Sequence, residues 1–220
     1  MPRLTGGLHA YSAWNIDASQ ILTRGELAQV LADLKRRAPR LPNVQMNLAI
    51  VRLASCCGLR ASEISGLRLS DVHTGVTRPF LSIRAETAKG GEPRRVPLWW
   101  DAGTLADLEA WIAYRRKHGA KGGDPLVCSL QRATLGEPLN RHVLRLRFRT
   151  ACRVLGWDRL RSLTIHHGRH TFISHALAGG RTLAEVKAAA GHASLLTTSV
   201  YLHVAVEDEG KVGDLFCFAK

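Results

Sequence analysis

Leu27, Val30, Leu31 and Leu34 recur at the spacing of a single helical face, behind a reciprocal capping pattern, Thr23-x-x-Glu26. The spacing predicts an amphipathic helix that Arg40-Leu41-Pro42 breaks, because proline lacks the N–H and crowds the preceding turn. A second, more apolar helix is predicted from about Val44 to Cys57, stopping at Gly58, a residue suited to the left-handed position after a helix. A short helix over about Ala61–Leu67 follows. From Pro79 the period changes to two. Leu81, Ile83 and Ala85 alternate with polar positions, Lys89-Gly90-Gly91-Glu92-Pro93 turns the chain, and Arg95-Val96-Pro97-Leu98 returns as a second strand. The remainder reads as helices over about 102–117, 139–155, 168–178, 182–190 and 195–203, with Gly179-Gly180 leading into a second capping box, Thr182-x-x-Glu185. The predicted fold class is mainly α with a small antiparallel β-hairpin sheet on the side, an α+β architecture. Residues 1–21 lack periodicity and read as a loose lead-in, residues 22–204 as one domain, and residues 205–220 as a tail.

A chain of 220 residues suits one good-sized domain, and 45% hydrophobic residues allow an ordinary core. Lys and Arg number 31 against 18 Asp and Glu, a net charge of +13 that points to a polyanion, most often nucleic acid. A ribosomal-type or simply soluble basic protein shares that charge, so its distribution matters more. Between Arg141 and His170 stand eight arginines and a single acid, Asp158, where a solvated helix face would mix both signs. That stretch reads as a phosphate-facing surface. Within it Arg145, Arg149 and Arg153 recur every four residues beside an apolar row of Leu144, Phe148, Ala151 and Leu155, which predicts the row in the core and the arginines near DNA.

The five cysteines form no C-x-x-C pair, and their odd number and the adjacent Cys56-Cys57 argue against a disulfide framework or a zinc site. They read as small core residues in a reducing compartment. The N-terminus has no apolar leader segment and no run is long enough to span a membrane, so the expected location is cytoplasmic and nucleoid-associated.

Six residues carry candidate chemistry: Arg60, Lys89, His166, Arg169, His192 and Tyr201. Singly, each reads more readily as an ordinary structural residue: a surface arginine, a solvated lysine in a glycine turn, a helical His–Arg pair, a core tyrosine. Together they supply two guanidinium groups, one ammonium, two imidazoles and one phenol, the set that metal-free attack on a phosphodiester needs. Two arginines can hold the non-bridging oxygens of a phosphorane as planar forks. A phenol is a poor nucleophile at neutral pH and needs a base such as histidine to take its proton. A lysine made more acidic by nearby arginines can protonate the leaving oxygen. No carboxylate cluster for Mg²⁺ stands out, which disfavours two-metal nuclease chemistry.

At these residues the sequence resembles the tyrosine recombinases of the phage-integrase type. Gly58-Leu59-Arg60-Ala61-Ser62-Glu63-Ile64-Ser65-Gly66-Leu67, with Asp71-Val72 after it, is similar to the family's first arginine box. Thr87-Ala88-Lys89-Gly90-Gly91 leading to Arg95-Val96-Pro97-Leu98 resembles the hairpin with the catalytic lysine, and His166-His167-Gly168-Arg169-His170-Thr171-Phe172 the H-x-x-R-H box. Gly191-His192-Ala193-Ser194 resembles the third box, and Thr197-Thr198 with Tyr201-Leu202-His203-Val204 the nucleophile segment, at the family's usual nine-residue gap from His192 to Tyr201. The resemblance covers about Leu22 to Val204.

The resemblance implies that Arg60 and Arg169 clamp the scissile phosphate, Lys89 is the general acid for the 5′ hydroxyl, His166 assists proton removal from Tyr201, His192 bonds a non-bridging oxygen, and Tyr201 forms a 3′-phosphotyrosyl bond. Glu63 would orient the Arg60 region and His170 would pack beneath the site. No cofactor or metal is implied. The implied partners are double-stranded DNA and further protomers on paired sites, with a C-terminal helix around Val212, Leu215 and Phe216 docking on a neighbour. There are two departures from the family pattern. Gly168 stands where leucine is common, which is expected to loosen a helix start and remove a packing contact. Only 22 residues precede Thr23, too few for the family's separate helical DNA-binding domain, so a naturally short form similar to the fimbrial-switch invertases or a truncated copy is expected. Two other functions use the same residues: a type IB topoisomerase-like relaxing activity, and a non-catalytic DNA-binding relic.

Overall fold

The computed structural model describes residues 16–202. Three helices come first: α1 (Arg24–Arg37), α2 (Pro42–Ser55) and α3 (Ala61–Gly66). A sheet of β1 (Val72–His73), β2 (Phe80–Ile83) and β3 (Arg94–Pro97) follows, then α4 (Ala102–Lys117), α5 (Arg141–Ala151), α6 (Trp157–Ser162), α7 (Ile165–Ala178), α8 (Leu183–Ala190) and α9 (Leu195–Ser199).

Helix α2 is the centre of the core because it carries no polar stripe. Every residue from Met46 to Ser55 is buried, and α1, α4, α5 and α7 pack around it. The one charge in that run, Arg52, is tolerated because Asp101 and Asp107 accept from it at 2.9 and 2.8 Å. Helix α1 lays Leu27, Val30, Leu31 and Leu34 against α2 and starts with the predicted reciprocal cap between Thr23 and Glu26. At the end of α2 the chain reverses at Gly58, with φ +66°, where a Cβ would stand 2.3 Å from the Phe172 ring. Glycine there lets the first arginine box lie directly over α7.

The strands pair antiparallel in the order β1-β2-β3, with Leu81 opposite both Val72 and Val96. The predicted hairpin is therefore one strand short of the sheet. Two residues, Val72 and His73, are too few for an alternating pattern to register. The alternation in β2 points Leu81 and Ile83 inward.

Three further differences from the expected elements bear on the site. The segment expected at 139–155 ends as α-helix at Ala151 and passes through a 3-10 turn, Arg153–Leu155, to Gly156, whose φ of +83° stops the helix and starts α6 in a new direction. Helix α7 begins at Ile165 rather than at about 168, because the Thr164 N–H donates to Nδ1 of His167 at 3.0 Å and closes the first turn. Residues 16–21, expected as a loose lead-in, instead bury Ile16 and Ile21. Arg159 donates to the carbonyl of Ile21 at 2.6 Å, and the Leu22 N–H donates to Oγ1 of Thr171 at 2.9 Å. The expected C-terminal helix beyond residue 207 lies outside the described residues. No helix among the described residues is long and apolar enough to cross a membrane.

Candidate active site

The last carbonyls of a helix have no partner within it and form its negative end, so cations gather there. Three arginines from three separate parts of the chain use the end of α8. Arg94 Nε donates to the carbonyl of Ala189 at 2.9 Å, Arg169 Nη2 to Ala190 at 2.7 Å, and Arg60 Nη2 to Gly191 at 3.3 Å. Gly191 closes the helix at φ +67°, and a Cβ on it would lie 2.9 Å from Cδ of Arg94. Arg169 also donates through Nη1 to the Gly58 carbonyl at 2.6 Å. Burial, and then the charge of Arg60, push the Arg169 guanidinium below an arginine's ordinary pKa.

Beneath the three arginines lies Glu63, with no exposed side chain, in the first turn of α3. It accepts from Arg94 Nη1 and Nη2 at 2.8 and 2.9 Å, from Arg60 Nη1 at 3.2 Å and from the Arg60 backbone N–H at 2.8 Å. Burial opposes its charge, but the Arg94 fork and the Arg60 contacts outweigh burial, so the carboxyl sits below its usual range.

Past α9 the chain turns Tyr201 back under this cluster. Its side chain is buried and its hydroxyl lies 2.6 Å from Nδ1 of His170. Burial pushes the phenol up to about 12, with Arg169 pulling the other way. Burial, followed by the charges of His167, His166 and Arg169, pushes His170 down to about 4, so it is neutral at pH 7. The ring of His192 stacks on Tyr201 with centroids 6.5 Å apart, and its Nδ1 lies 2.9 Å from Oγ1 of Thr198. Burial and then Arg169, Arg60 and Arg94 lower His192 to about 3. The arrangement puts a neutral imidazole on the phenol and the Arg169 guanidinium near enough to act on it. Among the described residues no group of three His, Cys, Asp or Glu side chains is placed to hold a metal ion.

The sequence model described as the phage integrase family matches residues 20–208. The chain belongs to the phage integrase family. Among its relatives is the tyrosine recombinase XerD of Proteus mirabilis, 34% identical over 72% of this chain and 48% of that one. Solved structures with the same fold include the XerA recombinase, with TM-score 0.68 and 21% identity over 86% of this chain and 62% of that one. Another is the XerH site-specific recombinase bound to a palindromic difH substrate in a post-cleavage complex, with TM-score 0.66 and 23% identity over 85% and 50%. The chain spans about half the length of most of the curated relatives it matches, and up to 67% of one.

In this phage integrase family member the predicted residues fall into two groups. Arg60, Arg169, His192 and Tyr201 converge at the end of α8, and His166 flanks them, its pKa lowered by burial and then by Arg145, Arg169 and Arg60. Lys89 stands exposed on the β2–β3 loop, outside the hydrogen-bonded cluster. The three predicted DNA-contacting arginines also separate. Arg145 is exposed on α5 and near enough to act on His166, whereas Arg149 donates to the Leu160 carbonyl at 3.2 Å and ties α5 to α6. Arg153 lies in the 3-10 turn, off the four-residue row, because α5 has already ended. The apolar row itself is as expected: Leu144, Phe148 and Ala151 are buried and Leu155 packs half-buried against the core.

Two partners escaped the sequence reading. His170, expected to pack beneath the site, carries the bond to the Tyr201 hydroxyl. Arg94 opens β3 one residue ahead of the expected strand start at Arg95. A signal for it existed: residues two apart in a strand share a face, and the buried Val96 puts Arg94 inward, where an arginine must find an acid. Arg95 faces the other way, over the Phe80 ring at 4.6 Å. Gly168 also acts otherwise than expected. It does not loosen the start of α7, which lies three residues earlier; it lets α7 touch α2, since a Cβ there would meet Cβ of Ala54 at 3.0 Å and Oγ of Ser55 at 2.9 Å.

Proposed function

We propose that the chain is the catalytic part of a site-specific recombinase that cleaves and rejoins double-stranded DNA through a 3′-phosphotyrosine, with Tyr201 as nucleophile. The observation that carries this reading is the Tyr201 hydroxyl at 2.6 Å from a neutral imidazole, beneath the guanidinium cluster that ends α8. A phenol held at about 12 is protonated at neutral pH, so attack requires a base in contact with it. His170 is that first acceptor, with His166 beside the phosphate clamp. The hydroxyl proton passes to His170 Nδ1, the phenolic oxygen bonds phosphorus, the bond to the 5′ oxygen breaks, and Lys89 supplies the proton that the leaving oxygen needs. Because Lys89 is exposed, the reading requires the β2–β3 loop to bring it onto bound DNA.

A guanidinium offers five N–H donors. Arg169 spends two on the Gly58 and Ala190 carbonyls, and Arg60 spends two on Glu63 and Gly191, so each keeps three for non-bridging oxygens. The bond energy stored in the phosphotyrosine lets a 5′ hydroxyl of another strand religate without a nucleotide. Net charge +13 and the exposed arginines of the 141–170 stretch, Arg145 beside His166 among them, supply the phosphate-binding surface. The XerH recombinase structure, which shares the fold, is a post-cleavage complex with a palindromic difH substrate. We extend the reading to partner protomers on paired sites, to a docking role for residues 205–220 and to a cytoplasmic, nucleoid-associated location. The test is a nicked duplex library that traps cleavage, read as an SDS-resistant protein–DNA adduct whose peptide maps to Tyr201. No adduct on any sequence, with DNA still bound, would leave a binding protein only.

A further inference from the structure

Arg94 is not placed as a phosphate ligand. Its side chain is 10% exposed, its Nε donates to the Ala189 carbonyl, each Nη donates to Glu63, and a Cβ on Gly191 would lie 2.9 Å from its Cδ. It nevertheless joins three elements that each carry a candidate catalytic residue or lead directly to one. Strand β3 follows the loop of Lys89, α3 follows Arg60, and α8 leads into His192.

The division of Glu63 between two arginines is unequal. Arg94 takes both carboxylate oxygens in an end-on fork, whereas the Arg60 guanidinium has one longer contact, 3.2 Å, on the oxygen Arg94 already shares. A carboxylate with no exposed surface must have a cation. Were Arg94 absent, Arg60 would be the cation within reach, and a full fork on Glu63 would draw it down from the face where a phosphate would sit. Bidentate pairing is the preferred geometry for arginine with a carboxylate, so the two arginines compete for one acceptor.

We propose that Arg94 is a positioning residue: by forking both carboxylate oxygens of Glu63 and gripping the end of α8, it limits the Arg60 guanidinium to one long contact on Glu63 and leaves its other N–H groups for the scissile phosphate. This rests on the recombinase reading above and assigns its phosphate clamp a support that acts through charge competition rather than contact with DNA.

The full chain is tested in single-turnover cleavage of a nicked duplex, with binding measured separately. Arg94→Leu should bind DNA normally and cleave about 100-fold more slowly, the scale of a displaced catalytic group. Adding Glu63→Gln removes the charge that captures Arg60 and should return a large part of the lost rate, about tenfold, since a neutral amide no longer demands a fork. Arg94→Lys, which keeps a cation on Glu63 without the fork, should fall between the two. If Arg94→Leu alone does not fold, the lysine variant and the double variant, which leaves no unpaired buried charge, carry the comparison. Unimpaired cleavage by Arg94→Lys and Arg94→Leu, or a double variant no faster than Arg94→Leu, would overturn the positioning role while the nucleophile reading stood. Absence of any adduct from the unaltered protein would overturn both.

Discussion

The hydroxyl of Tyr201 and Nδ1 of His170 lie 2.6 Å apart, between a buried phenol pushed up to about 12 and an imidazole pushed down to about 4. An imidazole that is neutral at pH 7 and in contact with the phenol can accept its proton, and the proposed attack on phosphorus uses that contact. Tyr201→Phe should therefore abolish the covalent adduct while sparing DNA binding. His170→Ala should slow cleavage by about 100-fold, the range of a lost general base. An adduct surviving Tyr201→Phe would move the nucleophile elsewhere, and full-rate cleavage by His170→Ala would return the base role to His166.

Arg60→Lys and Arg169→Lys keep the charge but lose the planar fork. Both should cut cleavage by about 100-fold or more, on the scale of removing a preorganised donor to the transition state. They should differ in stability. Arg169 satisfies two buried carbonyls, Gly58 and Ala190, so its loss should also cost about 1–3 kcal/mol of unfolding free energy. Arg60 is more exposed and should cost less. Equal denaturation midpoints for the two variants would contradict that division of labour.

Acidification should destabilise the fold in a defined window. His170 and His192 have folded pKa values of about 4 and about 3, against about 6.5 for an unfolded histidine. Between these limits the unfolded chain binds protons that the folded chain refuses, so stability rises with pH and is lost as pH falls from about 6.5 towards 4. The Tm should drop by roughly 10 °C between pH 7 and pH 5 in low salt. The double variant His170→Gln with His192→Asn should flatten that slope, and a slope unchanged by it would place the titrating groups elsewhere.

Gly168→Ala should destabilise the protein by about 1–3 kcal/mol, because the new methyl meets Ala54 and Ser55 across the α2–α7 contact. Chemical denaturation of the purified variant measures this directly. Stability equal to or above that of the unaltered chain would mean that the two helices can separate at little cost.

DNA affinity should fall with salt by about 0.9 in log–log slope for each phosphate neutralised. Arg145→Ala should reduce that slope by about one, because Arg145 is exposed beside His166, whereas Arg149→Ala should act on stability through the lost bond to Leu160. A titration series from low to high salt separates the two, and a flat response in the unaltered protein would contradict phosphate contact altogether.

What the amino-acid order by itself determined was local. The helical spacing in α1, the mostly apolar run of α2, the capping boxes at Thr23 and Thr182, and the alternation in β2 each depend on residues within a few positions of one another, and all appear in the structure. Arg60, Arg169, His192 and Tyr201 were legible differently: each is ordinary when read singly, and they stand out only as a set, through boxes that resemble the family's in their order and spacing. What only the tertiary structure decided were the pairings across long stretches of chain. Arg94 reaches Glu63 over 31 residues and the Ala189 carbonyl over 95, and Arg60 meets Gly191 over 131. Those contacts depend on the angle at which α3, β3 and α8 pack, which no local period encodes. The choice of His170 over His166 as the partner of Tyr201 has the same origin. Both lie on α7 four residues apart, about one helical turn, and the path of the chain beyond α9 selects which of them the phenol meets.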